Sequence, residues 1–151
     1  MKIYKLEYEQ HLPVSKEECW NFFSNPVNLE KITPPDMNFE IKSELPDAVY
    51  AGQIIEYKIK LFPGVKASWV TEITQVDEGN YFIDEQRFGP YKFWHHQHHF
   101  IPTKDGILAR DIVHYGLPFG FLGRIAQRLF IRRKLKFIFD YRKKVIDELF
   151  D

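Results

Sequence analysis

Four of the six histidines of this 151-residue chain stand within five positions, in the run Phe93-Trp94-His95-His96-Gln97-His98-His99-Phe100. Histidine titrates near neutral pH, binds metals through either ring nitrogen and both gives and takes protons. The run therefore raises three chemistries: a metal site, an acid–base pair, and the polar lining of a pocket. On a strand, residues two apart point together and neighbours point oppositely, which separates His96 and His98 from His95 and His99. Cross-strand pairing then brings in the aspartates. If residues 103–106 form a four-residue hairpin loop, Pro102 faces Ile107, and His98 falls opposite Asp111, His96 opposite Val113 and Trp94 opposite Tyr115. A three-residue loop Gly89-Pro90-Tyr91 sets Gln86 opposite Trp94 and Asp84 opposite His96, whereas a two-residue Gly89-Pro90 turn would bring His95 beside Asp84 instead.

With the first of these registers, Trp69, Thr71, Asp84, Gln86, Trp94, His96, His98, Asp111 and Tyr115 form an inward wall, and Tyr57, Phe130 and Phe137 complete its apolar part. Such a wall is too polar for ordinary core. It is either an internal network that only rigidifies the sheet or the polar end of a ligand pocket. His96, His98, Asp84 and Asp111 are also a two-histidine, carboxylate set of the kind that holds zinc or iron. His-x-His arises readily in a histidine-rich run, however, and the helical glutamate that accompanies many hydrolytic zinc sites is missing, so no metal is expected. A histidine beside an aspartate could also serve as a general base, as a lyase or cyclase would need. The chain offers no nucleophile motif, no glycine-rich phosphate loop and no cofactor signature; binding is favoured over catalysis, with no cofactor and no catalytic residue assigned.

The elements that must position these residues follow from pattern. Lys2 to Leu12 has strand character and ends at Pro13. Ser15 can cap a short helix that presents Cys19, Trp20, Phe22 and Phe23, and a second short helical piece runs to about Ile32 before Thr33-Pro34-Pro35. From Met37 to Tyr115 strands alternate with turns at Pro46-Asp47, Pro63-Gly64, residues 77–80, Gly89-Pro90 and residues 104–106, which predicts six antiparallel strands. Ile55, Tyr57, Ile59 and Leu61 face one way, with Glu56, Lys58 and Lys60 on a wet face. After Gly116-Leu117-Pro118, one long helix from Phe119 is the simplest reading, its apolar stripe including Ile125, Leu129, Phe130, Phe137, Ile138, Tyr141, Val145 and Leu149. The turns at Phe62–Val65 and Leu117–Phe121 are placed to flank the mouth of a cavity. The order predicts an α+β fold: a curved seven-stranded antiparallel sheet wrapped around the C-terminal helix, with two short helices after the first strand, as one domain over residues 1–151.

Composition agrees with a roomy aromatic interior: 14 Phe, 8 Tyr and 3 Trp, with 21 basic and 21 acidic side chains in balance. The balance argues against a nucleic-acid partner. Charge is uneven, since residues 119–151 carry nine Lys or Arg against four acids, and the rest of the chain has the opposite excess. Arg124, Arg128, Arg132 and Lys136 recur every four residues. Their favoured reading is a solvated face opposite the apolar stripe, and the less favoured one is contact with a partner or a membrane surface. No apolar run reaches the roughly 20 residues that span a bilayer, so stable membrane insertion is not expected. A single cysteine, Cys19, read as inert core, and the charged start MKIYKLEYEQ lead to a cytoplasmic expectation.

The element order resembles the helix-grip fold of the SRPBCC superfamily, which includes START lipid-transfer domains, the birch pollen allergen and polyketide cyclase-like proteins. Local wording is similar to bacterial ligand-binding SRPBCC proteins, some of them labelled cell-division inhibitors: Trp69-x-Thr71-x-x-Thr74 around Ile73, Phe82-x-Asp84-x-Gln86 before Gly89-Pro90, Trp94-x-His96-x-His98-x-Phe100, and Asp111-x-Val113-x-Tyr115 before Pro118 and Gly120. No residue explains the cell-division label. What the resemblance implies is a cavity for a small apolar or amphipathic ligand, lipid-like molecules among them, with catalysis in some branches.

Overall fold

A computed structural model describes residues 1–151. Strand β1 (Tyr4–Leu12) alternates exposed and half-buried side chains until the buried Leu12. Ser15 then caps α1 (Lys16–Phe23) with a reciprocal capping box: the Glu18 amide donates to Ser15 Oγ (3.1 Å), and the Ser15 amide donates to the Glu18 carboxylate (3.0 Å). Helix α1 buries Cys19 and Trp20, and the Cys19 thiol is pushed up to about 12 by burial, which keeps it protonated and inert. The second short helix is α2 (Val27–Lys31), and a single 3-10 turn (Pro35–Met37) leads into the sheet.

Six strands follow, as the turn spacing predicts: β2 (Glu40–Ile41), β3 (Gln53–Phe62), β4 (Val65–Asp77), β5 (Tyr81–Phe88), β6 (Phe93–Thr103) and β7 (Gly106–Gly116). The sheet runs β1-β7-β6-β5-β4-β3-β2 with every neighbour antiparallel, so β1 returns to lie beside the last strand. Register shifts in β4, at Val70/Thr71 and Ile73/Gln75, are irregularities of the kind that bend and twist a sheet into a curve.

The register that decides the histidine faces is the expected one. His98 pairs with Asp111, His96 with Val113 on one side and Asp84 on the other, and Trp94 with Tyr115. The β6–β7 loop is tighter than expected, because Thr103 and Gly106 also pair, but Pro102 still faces Ile107. The β5–β6 link spans residues 89–92, and Gln86 closes it: its Nε2 donates to the Tyr91 carbonyl (2.5 Å) and its Oε1 accepts from the Tyr91 amide (3.0 Å).

The C-terminal helix differs from the uniform helix expected. Helix α3 (Gly120–Ala126) passes through a π-helical turn (Gln127–Ile131) into α4 (Arg132–Phe150). The wide turn faces Gln127 into the sheet, where its Nε2 donates to Tyr115 Oη (2.7 Å). The buried stripe consists of Gly123, Gln127, Leu135, Phe139 and Ile146. Ile125, Leu129, Phe130, Phe137 and Leu149, expected within it, are instead half exposed or more. Phe137 stands two positions from both Leu135 and Phe139, which rotates it about 200° around the axis and away from the sheet. Gly123 lies so close to the Pro118 carbonyl oxygen that any Cβ there would collide with it, which presses the preceding loop against the helix. At the far end, Gln10 Nε2 donates to the Lys143 carbonyl (2.8 Å) and ties β1 to α4.

Candidate functional site

Asp84, His96, His98 and Asp111 come together from three adjacent strands, β5, β6 and β7, as one network. His98 Nε2 donates to Asp84 Oδ2 at 2.5 Å, and its Nδ1 lies 3.3 Å from Asp111 Oδ1. His96 Nε2 donates to Asp111 Oδ1 at 2.7 Å, and the two imidazoles stack with centroids 3.7 Å apart. Burial alone would push both aspartates up; the hydrogen bonds and charges of the histidines outweigh it, so Asp84 is lowered and Asp111 is held well below the usual carboxylate range. Burial likewise opposes the charge on His98, but its two carboxylate neighbours win and its pKa is raised. For His96, burial and the neighbouring His98 charge win, and its pKa is lowered.

These directions define a charge pattern. A carboxylate at each nitrogen favours the imidazolium form of His98, and burial beside it favours the neutral form of His96. Since His96 donates through Nε2, its Nδ1 is left as an acceptor, 3.8 Å from Asp84 Oδ2 and outside hydrogen-bond range. Asp84, His96 and His98 also offer ligand atoms within 4.8 Å of one another, the spacing of a small-cation site. Both nitrogens of His98 already face carboxylates and Asp111 already satisfies His96 Nε2, which leaves His96 Nδ1 as the one ring nitrogen of the pair without a partner.

The network borders a cavity of about 520 Å³ between the sheet and the long helix. Of the residues expected to line it, Tyr57, Trp69, Thr71, Asp84, Trp94, His96 and His98 do so. Tyr57 stacks on Trp69 (5.9 Å), which meets Trp94 edge to face (5.3 Å), making an aromatic wall beside the histidines. Thr71 turns its hydroxyl to the Glu85 carbonyl (3.1 Å). Gln86, Asp111 and Tyr115 stand behind this wall, where they hold Tyr91, the histidines and Gln127 respectively. Phe130 and Phe137 are corrected outright: they are 61% and 56% exposed on the outer side of the helix. The helix wall is built by Ile131, Leu135, Ile138 and Phe139.

Arg142 is a charged lining residue that sequence reasoning missed. It lines the cavity with its guanidinium over the Phe139 ring (5.1 Å) and Nη1 4.0 Å from Asp111 Oδ1, and its Nε is buried without a partner. The signal was a cation on the buried helix stripe, seven positions after Leu135 and three after Phe139, where an apolar side chain fits the period. His95 and His99 lie on the other sheet face and are half-buried there, His95 edge-on to His114 and His99 bonded to Gln97 (2.9 Å). Phe62, Leu117, Pro118 and Phe119, from the two turns expected at the mouth, line the cavity, and Phe62 and Phe119 are exposed there. There Lys134 donates to the Leu61 carbonyl and lies over the Phe62 ring (4.7 Å).

The same arrangement of sheet, short helices and long helix occurs in solved structures. A protein of Chromobacterium violaceum superposes with a TM-score of 0.71 at 17% identity, over 97% of each chain. The chain has the helix-grip fold. A helix-grip protein of Thermus thermophilus is similar with a TM-score of 0.70 at 13% identity, over 98% of this chain and all of that one (100%). Norcoclaurine synthase from Thalictrum flavum, solved in complex with dopamine and hydroxybenzaldehyde, has a TM-score of 0.65 at 17% identity, over 97% of this chain and 88% of its own. No protein-family model and no curated protein matches the sequence.

Proposed function

We propose that this helix-grip chain, as one domain, binds a small apolar or amphipathic molecule in the cavity between sheet and helix. The observation that carries the reading is the cavity itself: about 520 Å³, walled by aromatic and aliphatic side chains, with one charged cluster of Asp84, His96, His98 and Arg142 on its lining. Binding pockets for drug-sized molecules have this composition, a mostly apolar wall with a few convergent polar groups that fix orientation. Tyr57, Trp69, Trp94, Leu135 and Phe139 supply contact area. His96 Nδ1 accepts a hydrogen bond from the ligand's polar end, and Arg142 donates one. Asp111 and Gln86 act through the residues they hold, and Tyr115 through Gln127.

A second reading is favoured by the same acceptor. A neutral histidine whose other nitrogen is fixed by an ionised aspartate is arranged as a general base, so a cyclase or lyase acting on an aromatic or polyketide-like substrate would use His96 to take a proton. The similarity of fold to norcoclaurine synthase is consistent with chemistry in such a cavity. Native mass spectrometry of freshly purified protein, followed by extraction of what it carries, tests the binding reading. An adduct of an apolar or amphipathic molecule is expected. Protein of bare mass that also fails to take up any of a panel of fatty acids and aromatic acids would overturn it. Conversion of the extracted molecule on incubation, abolished by His96→Gln, would select the second reading.

A further inference from the structure

The outer face of the long helix carries the exposed basic row its sequence suggests, and exposed apolar side chains with it. Phe121, Ile125 and Leu129 recur every four residues and are 62%, 49% and 51% exposed, and Phe130, inside the π turn, and Phe137, beyond it, are exposed as well. Arg124, Arg128 and Arg132 stand three positions after Phe121, Ile125 and Leu129, the spacing of neighbours on a helix surface, and Lys136 continues this basic row beside the apolar one. Gly120 to Phe137 contains six basic side chains and no acid, in a chain whose total charge is zero. Of these, Lys136 meets Asp140 (2.5 Å), whereas Arg124, Arg128, Arg132 and Arg133 pair with no carboxylate. The surface continues to the cavity mouth, where Phe119, 80% exposed, is held at φ +69°, a left-handed backbone that disfavours a large side chain.

Monomeric proteins rarely show water a contiguous apolar patch of this kind without a partner for it. A second copy of the chain fits poorly, because a two-fold contact would bring the unpaired arginines of one copy against those of the other. A nucleic-acid backbone would meet the arginines and leave the phenylalanines unused. An anionic lipid surface meets both rows: headgroup phosphates pair with arginine, and aromatic and aliphatic side chains enter the boundary between headgroups and acyl chains. We propose that the Gly120–Phe137 face, with Phe62 and Phe119 at the cavity mouth, docks reversibly onto an anionic bilayer. No helix is long and apolar enough to cross the membrane, and the docking is peripheral. It does not depend on what the cavity holds.

Flotation of the full chain with vesicles of phosphatidylcholine alone, or with about a third phosphatidylglycerol, tests this. The anionic vesicles should bind about tenfold more tightly or better, since each surface cation adds to the attraction. Raising salt from about 0.1 M to about 1 M, which shortens the screening length from about 10 Å to about 3 Å, should remove most of that advantage. The double variant Phe121→Ser/Phe130→Ser and the triple variant Arg124→Glu/Arg128→Glu/Arg132→Glu should each lose vesicle binding while keeping the parent melting temperature. Lys104→Glu, in the turn at the opposite end of β7, should change nothing. Absence of binding, equal binding to neutral vesicles, or binding untouched by both helix variants overturns the proposal. So does a dimer in analytical ultracentrifugation that the same variants dissociate, which would assign the face to a second copy.

Discussion

His98 is held between two carboxylates on neighbouring strands, and that position ties the stability of the molecule to pH. Its pKa is raised above 6.5, so its contribution to stability is fully present below that value and is lost as pH rises through the folded value. His96 is lowered, and its contribution has the opposite sense: present above 6.5 and lost as pH falls through its folded value, because the unfolded chain protonates first. The two aspartates, also lowered, add stability above about 3.8 that disappears as pH falls through their folded values. Stability, read as the melting temperature, should therefore decline on the alkaline side of 6.5, and His98→Gln should flatten that limb. Identical alkaline limbs in parent and variant would mean that His98 is not the bridging cation. For ligand affinity, His98→Gln and Asp111→Asn should each cost about tenfold, roughly 1.4 kcal/mol, by titration calorimetry. His95→Gln and His99→Gln, on the other face, should stay near the parent. Strand alternation and hairpin pairing made this division legible in the sequence, because a period of two leaves only two ways to face. Arg142 was not read, because a lone arginine in a helix full of basic residues carries no local mark of burial.

At the scale of elements, the strands and short helices follow from turn residues and a capping box, whereas the phase of the long helix does not. A helix with apolar residues on most sides has no unique moment direction until something packs against it, and the π turn at Gln127–Ile131 adds a local shift that no residue type announces. The sequence pattern for that reason suggests Ile125, Leu129, Phe130 and Phe137 for the core, whereas Leu135, Phe139 and Ile146 occupy it. Urea denaturation separates the two assignments. Ile146→Ala, at a site only 2% exposed, should cost about 2–5 kcal/mol through the cavity it leaves. Phe137→Ala should stay within about 0.5 kcal/mol, as exposed substitutions do. Gly123→Ala should also destabilise, since its methyl would strike the Pro118 carbonyl and push the mouth loop off the helix.

At the scale of the whole molecule, a curved sheet closed over one helix leaves a space that side chains do not fill, and the charged network is buried at its wall. The fold was legible because an antiparallel sheet with one apolar face has a single element long enough to cover it. The cavity's walls were only partly legible, because a lining residue and a core residue share the same composition and differ in whether anything faces them. The proposed ligand is held through the Asp84–His96–His98–Asp111 cluster, and that contact is open to direct observation. Histidine side-chain ¹⁵N NMR on titration with the molecule extracted from the purified protein tests it most directly. An unprotonated Nδ1 signal for His96 is expected in the free protein and should shift on binding, with His98 remaining doubly protonated and the His95 and His99 signals unmoved. A ligand that leaves the His96 signal in place, or shifts only the outer-face histidines, would contradict it.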